Sequence, residues 1–128
     1  MKSARKLFAD HATQLLQSPF YKNWRPVAKS GAGYGIFSIA KQARTRFNIE
    51  QHPDNVHIIT IKPSATYNND PPIVISDPPI SDPCWDSAGV LHWTRWANGV
   101  TPWDHFRNSS NPLIYIIEEL QKKYKLSV

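Results

Sequence analysis

The chain has 128 residues, of which 41% are hydrophobic and 12% aromatic, so it is long and apolar enough to bury the core of one domain. This composition excludes a disordered chain, and no apolar run approaches the roughly 20 residues that a membrane helix requires. Cys84 is the single cysteine. An internal disulfide is therefore excluded, and a reducing, cytoplasmic setting is expected. The basic start MKSARKLF leaves organellar import open.

The positive charge is concentrated in the first half of the chain. Residues 1–62 carry 10 lysines and arginines against 3 acids, whereas residues 63–128 carry 5 against 7. A basic half predicts a polyanionic partner such as nucleic acid. The alternative is that the net charge of +5 only keeps a small domain soluble.

The N-terminal segment predicts a helix followed by a connection. Apolar residues recur at helical spacing over residues 3–17, and Pro19 ends the pattern. In the connection, residues 20–35, Trp24 stands between cations, as in surfaces that stack single-stranded bases and contact their phosphates. The alternative is that Phe20 and Trp24 anchor this connection to the core.

Residues 36–48 fit a second helix with a basic side, formed by Lys41, Arg44 and Arg46. A strand over residues 34–40 competes with this helix, because apolar and small residues also alternate there. Residues 56–62 predict a central strand, since they are largely β-branched and apolar on both faces. His57 shares a face with Ile59 and Ile61, which favours a hydrogen-bonded core residue over a catalyst.

Residues 63–83 hold six of the eleven prolines and predict an extended loop around a short edge strand at 73–75. Residues 85–106 hold four of the five tryptophans. They predict a helix at 88–97, capped by Asp86 or Ser87, and a shorter one that starts after Thr101. A final amphipathic helix is predicted at 112–125, with its apolar stripe toward the core.

The tryptophan-rich stretch has two interpretations. In the first, its rings pack under the C-terminal helix as core. In the second, an exposed tryptophan beside cations forms a protein interface or a platform on which bases stack. The residues expected in that interface are Trp96, Trp103, Arg95 and Arg107.

Histidines are the only candidates for catalysis. His57, His92 or His105, together with a cation, could supply the acid and base of a metal-independent phosphodiester cleavage. Cys84, His92 and His105 lack the spacing of a zinc site, so no metal and no cofactor are expected.

The sequence therefore predicts an α+β fold over residues 1–128. It would have a two- or three-stranded sheet packed with an N-terminal helix and a helical C-terminal half. The leading functional hypothesis is a non-catalytic module that binds nucleic acid, RNA rather than duplex DNA. The residues expected to bind are Trp24, Arg25, Lys29, Lys41, Arg44 and Arg46. The alternatives are a small, toxin-like ribonuclease and an accessory subunit that binds a protein partner through residues 85–106.

Overall fold

An antiparallel sheet forms the centre of the fold. The computed structural model describes residues 3–27, 34–42, 56–96 and 103–127. Within these residues the strands are β1 (Arg25–Pro26), β2 (Ile36–Gln42), β3 (Val56–Lys62), β4 (Ile73–Asp77) and β5 (Leu126–Ser127). Their order is β1-β2-β3-β4, and β5 pairs with β2. The α+β class is confirmed, but the prediction of two or three strands is wrong.

β2 is the strand that the sequence-based prediction assigned to a helix. It pairs with β3 from Ile36 opposite Ile61 to Lys41 opposite Val56. Ile36, Ser38 and Ala40 are buried in alternation with more exposed neighbours, which is the period of a strand. The predicted helix is therefore wrong over residues 36–42, and the competing strand is correct. Residues 43–48 of that helix lie outside the described part of the chain.

The predictions for β3 and β4 are confirmed. β3 lies between two strands, as expected of a central strand. β4 lies at the end of the strand order and extends two residues beyond the predicted 73–75. The only further pairing described on its far side is a single bridge from Ile75 to Val90.

The described residues also form a 3-10 helix at Pro19–Tyr21 and four α-helices: α1 (Ala4–Leu16), α2 (Trp93–Trp96), α3 (Trp103–Phe106) and α4 (Pro112–Tyr124). Ser3 caps α1 by accepting a hydrogen bond from the Lys6 amide, and Asn111 caps α4 by accepting one from the Leu113 amide. At its other end α4 stops at Lys125, which adopts a left-handed conformation, and the chain continues into β5. None of the described helices is long and apolar enough to span a bilayer.

The predicted helix at 88–97 is wrong over residues 88–92. Asp86 accepts hydrogen bonds from the Ala88 and Val90 amides and closes a turn rather than capping a helix. Gly89 has a φ of 85°, which reverses the chain so that Val90 bridges to β4. The helix starts only at Trp93, and residues 97–102 lie outside the described part of the chain.

The helices α1 and α4 cover one face of the sheet, which we call the inner face. Buried side chains of both helices join those of the sheet in one core. The members with the lowest exposure are Phe8, Ala12, Leu15, Ile36, Ala40, Ile59, Ile61, Val74, Leu113, Ile116, Ile117, Leu120 and Trp103. Because strand side chains alternate between faces, the other half of the sheet residues point away from this core.

Candidate nucleic-acid interface

The face of the sheet that points away from the helices, which we call the outer face, has an apolar centre. Ile39 of β2 lies opposite Ile58 of β3, and their side chains are 63% and 43% exposed. Val56 and Ile73 add further exposed aliphatic surface on the same side of the sheet. Exposed aliphatic side chains that adjoin one another indicate a binding surface, since contact with water is unfavourable for each of them.

Three cations lie around this apolar centre. The strand register places Arg25 opposite Phe37, Lys41 opposite Val56 and Lys62 opposite Ile73. All three cations are exposed. One acid, Asp77, lies opposite Ile58. Among the described residues of these strands the outer face therefore has an excess of positive charge, which favours an anionic ligand.

A depression of about 400 Å³ opens at the β1 side of the outer face. It is lined by Asn23, Arg25, Phe37, Ser38 and Ile39. The Ser38 hydroxyl donates a hydrogen bond to the Asn23 carbonyl over 3.2 Å, which holds the segment before β1 against β2. The depression thus brings together an aromatic ring, a guanidinium group and an aliphatic side chain.

The edge of β2 is interrupted beside this depression. β1 pairs with Ile36 and Phe37, and β5 pairs with Lys41 and Gln42 on the same edge. The Val27 amide donates to the Gly35 carbonyl just before β2, so the backbone N–H and C=O of Gly35 point toward this edge. In a strand, the backbone groups of every second residue point the same way, which here means those of residues 35, 37, 39 and 41. Ile39 belongs to that set, and no described strand pairs with it there. The gap between β1 and β5 is therefore three residues long, from Ser38 to Ala40, and within it Ile39 presents a backbone donor and acceptor beside the depression.

The structure separates the aromatic candidates of the nucleic-acid hypothesis from the cationic ones. Trp24 is only 3% exposed and belongs to the core, so its ring is not on a surface that could stack bases. Phe20, which was expected to anchor the connection together with Trp24, is 87% exposed. Arg25 and Lys41 are exposed on the outer face, whereas Lys29, Arg44 and Arg46 lie outside the described residues.

The candidates for a protein interface in the tryptophan-rich stretch differ in exposure. Trp103 is 1% exposed, and its indole donates to the Asn68 carbonyl over 3.0 Å, so it is a core residue rather than an exposed interface residue. Arg107 contacts the Asn69 side-chain oxygen over 3.1 Å, and Arg95 is exposed on α2. The side chain of Trp96 lies outside the described part of the structure.

The three histidines that were candidates for catalysis lie in different environments. His57 is buried on the inner face, and its Nδ1 lies 2.7 Å from the Pro78 carbonyl oxygen, which requires this nitrogen to donate. Ser76 lies 3.3 Å from the same nitrogen but donates its own hydroxyl to the Pro78 carbonyl. His57 thus cannot accept the Ser76 proton at Nδ1, and this buried pair is not an activated nucleophile.

His92 and His105 do not meet His57 in any described contact. His92 Nε2 lies 2.9 Å from the Asp86 carboxylate, while His105 is exposed on α3. Hydrogen bonds from the Val90 amide, from His92 and from the Ala88 amide hold the pKa of Asp86 below its usual range.

Burial raises the pKa of the Cys84 thiol, which disfavours the reactive thiolate. Among the described residues, no three potential ligands are grouped to hold a metal ion.

The sequence did not identify Phe37, Ile39 and Lys62 as nucleic-acid-binding residues. The pattern that could have identified two of them is the alternation of Phe37 and Ile39 with small residues, which also favoured the competing strand. Comparison with known proteins gave no match: no family model fits the chain, and no curated protein or solved structure is detectably similar to it. The function is therefore argued from the residues themselves.

Proposed function

We propose that the chain binds single-stranded nucleic acid, RNA in preference to duplex DNA, through the outer face of its sheet. The observation that carries the proposal is the position of Arg25, Lys41 and Lys62 around an open, apolar sheet face. Cations placed around the face in this way can contact a phosphate backbone, while the apolar centre accepts unstacked bases. A sheet with helices on one face and bases on the other is a common solution for binding single strands.

The shape of the outer face favours a single strand over a duplex. Duplex DNA is usually read by a helix or a two-stranded ribbon that enters the major groove. The outer face of the described sheet is instead a surface of short strands, and unpaired bases can lie flat against it. The expected ligand is thus a flexible strand whose bases are free to turn toward the protein.

The first experiment is a binding titration with a fluorescently labelled, single-stranded RNA of about ten nucleotides, which is within the usual site size of such surfaces. The triple variant Arg25→Glu, Lys41→Glu, Lys62→Glu should weaken binding at least tenfold and should melt close to the unchanged protein, because all three side chains are exposed. Lys122→Glu on α4 is the matched control, since it reverses an exposed cation of the helix layer.

Equal RNA affinity of the triple variant and the unchanged protein would refute the proposal. The double variant Arg44→Glu, Arg46→Glu separately tests the two arginines that the sequence indicated. The RNA should also remain intact on a gel after incubation in EDTA. Cleavage that His105→Ala or His92→Ala abolishes would favour the ribonuclease hypothesis instead.

A second candidate function, binding of a protein partner, is favoured by one observation. Ile39 and Ile58 form an aliphatic centre, with Val56 and Ile73 toward the two ends of the face beside charged groups, which is also the anatomy of a protein interface. Analytical ultracentrifugation separates the two candidates. Self-association that Ile39→Thr with Ile58→Thr abolishes, in a protein that leaves RNA unbound, would favour the partner function.

A further inference from the structure

The depression beside β1 has the components of a subsite for one unpaired nucleobase. Phe37 lies on its wall and is half-buried, so the ring is held in place while part of it remains accessible. Arg25 lies directly across from Phe37 in the strand register. An aromatic ring and a guanidinium that lie side by side at one depression can contact a base and its phosphate at the same time.

The interrupted edge of β2 supplies the polar contact that such a base requires. The backbone N–H and C=O of Ile39 point into the three-residue gap between β1 and β5, so the gap offers both a donor and an acceptor. A nucleobase presents a donor and an acceptor side by side on its Watson–Crick edge, and that edge is free only in a single strand. An added peptide strand needs a continuous edge, which the flanking strands prevent here.

The charges beside the gap agree with this assignment. Arg25 precedes the gap, and Lys41 follows it, two residues beyond Ile39 on the same face of β2. A nucleotide bound in the gap would therefore have a cation on each side along the edge. This arrangement suits a nucleotide whose base lies between two negatively charged backbone phosphates.

We propose that the depression lined by Phe37, Arg25 and Ile39 binds one unpaired base of a nucleic-acid strand, with the base against Phe37 and its Watson–Crick edge at the Ile39 backbone. The inference rests on the proposed function and adds a defined base-binding position to it. It implies that binding depends on the presence of bases and not on phosphate charge alone.

Two variants and three probes test the subsite. The probes are a single-stranded oligouridine, a sugar–phosphate strand of equal length without bases, and an oligouridine methylated on the Watson–Crick edge. Phe37→Leu removes the ring and keeps an apolar side chain, and Phe20→Leu is the matched control, since it makes the same change at an exposed ring that does not line the depression. Thermal melting establishes that both variants are folded.

Phe37→Leu should weaken oligouridine binding about tenfold and leave binding of the abasic strand unchanged. Methylation of the base edge should weaken binding to the unchanged protein, and Phe20→Leu should bind like the unchanged protein. If the unchanged protein binds the abasic strand and oligouridine equally well, the subsite does not exist, although the proposed electrostatic function stands. If the unchanged protein binds none of the probes, both proposals fail.

Discussion

Tyr67 shows how one buried polar side chain joins the proline-rich segment to the helix layer. Its hydroxyl lies 2.7 Å from Nδ1 of His11 on α1. Its ring packs edge-on against Phe8, with 5.3 Å between the ring centroids, and also contacts Trp103. Burial raises the pKa of Tyr67, because a tyrosinate in this position would lose its hydration. The hydroxyl therefore remains protonated as a hydrogen-bonding group within the core.

The variant Tyr67→Phe tests the contribution of this hydroxyl. The ring and its packing stay, but the bond to His11 is lost, so the free energy of unfolding should fall by about 1 to 2 kcal/mol. Denaturant titration followed by circular dichroism measures the change. Tyr115→Phe is the control, because Tyr115 is exposed on α4, and it should alter stability by less than about 0.5 kcal/mol. Equal effects of the two variants would contradict this role of Tyr67.

The turn that Asp86 closes shows why residue-level signals predicted the wrong element. Asp86 was identified as a helix cap, and it does accept backbone amide hydrogen bonds, but from Ala88 and Val90 within a turn. Asp and Asn make the same local bonds in caps and in turns, so the side chain alone does not distinguish them. The deciding contacts come from β4, which is distant in sequence.

Acid should weaken this turn. The pKa of Asp86 is lowered in the folded protein, so the folded state is favoured above the carboxyl's usual value of 3.8, and this advantage is lost as the pH falls through the folded pKa. The midpoint of thermal unfolding should therefore fall more steeply below about pH 4 in the unchanged protein than in Asp86→Asn. Asp104→Asn, an exposed acid of α3, is the control. If the unfolding midpoints of all three proteins fell in parallel with pH, the fold would not stabilise the charged form of Asp86.

At the scale of elements, Gly89 joins the tryptophan-rich stretch to the edge of the sheet. Its carbonyl accepts a hydrogen bond from the Ser76 amide over 2.8 Å. With its φ of 85°, any Cβ atom at this position would overlap the Ser76 carbonyl oxygen. The close approach of two backbones is therefore possible only with glycine.

We expect Gly89→Ala to be among the most destabilising single substitutions outside the core, because it imposes both an unfavourable φ and a clash with backbone. The free energy of unfolding should fall by about 2 to 4 kcal/mol. Ala88→Ser, at the exposed preceding residue, should have little effect. Denaturant unfolding of both variants measures the difference, and a stable Gly89→Ala protein would show that β4 and the turn are not in contact.

The elements that the sequence predicted best are those in which the spacing of apolar residues within the segment itself distinguishes a helix from a strand. The helices α1 and α4 and the strands β3 and β4 have long or strongly β-branched patterns, and each was predicted within a few residues. β2 was ambiguous because Ile36 and Ala40 are four residues apart, which fits a helix as well as a strand. β1 and β5 are two residues long and exist only through pairing with β2, so no local pattern could predict them.

The candidate site was only partly predictable for the same reason. The positive charge of the N-terminal half was readable from composition, and it identified Arg25 and Lys41. The position of Lys62 on the same face depends on the register between β3 and its neighbours, which is a long-range property. Trp24 and Trp103 were candidates because tryptophan is common both in cores and at binding sites, and the structure assigns both side chains to the core.

At the scale of the whole molecule, the helices that the structure describes cover one face of the sheet only. The covered face holds the buried aliphatic residues together with Ser38, His57 and Ser76, while the other face has exposed isoleucines and three cations. An exposed apolar face lowers solubility unless a ligand or partner covers it. The asymmetry between the two faces is the property of the whole fold from which the proposed function follows.

The dependence of RNA affinity on salt tests this asymmetry directly. Each cation that contacts a phosphate of a single strand adds about 0.7 to the slope of log affinity against log salt concentration. Lys62→Gln and Lys41→Gln should each reduce the slope by about this amount, and Lys122→Gln on the helix layer should leave it unchanged. Titrations at a series of salt concentrations give the slopes. Equal reductions for all three lysines would mean that RNA is attracted by the overall charge of the protein, and the outer face would then have no special role.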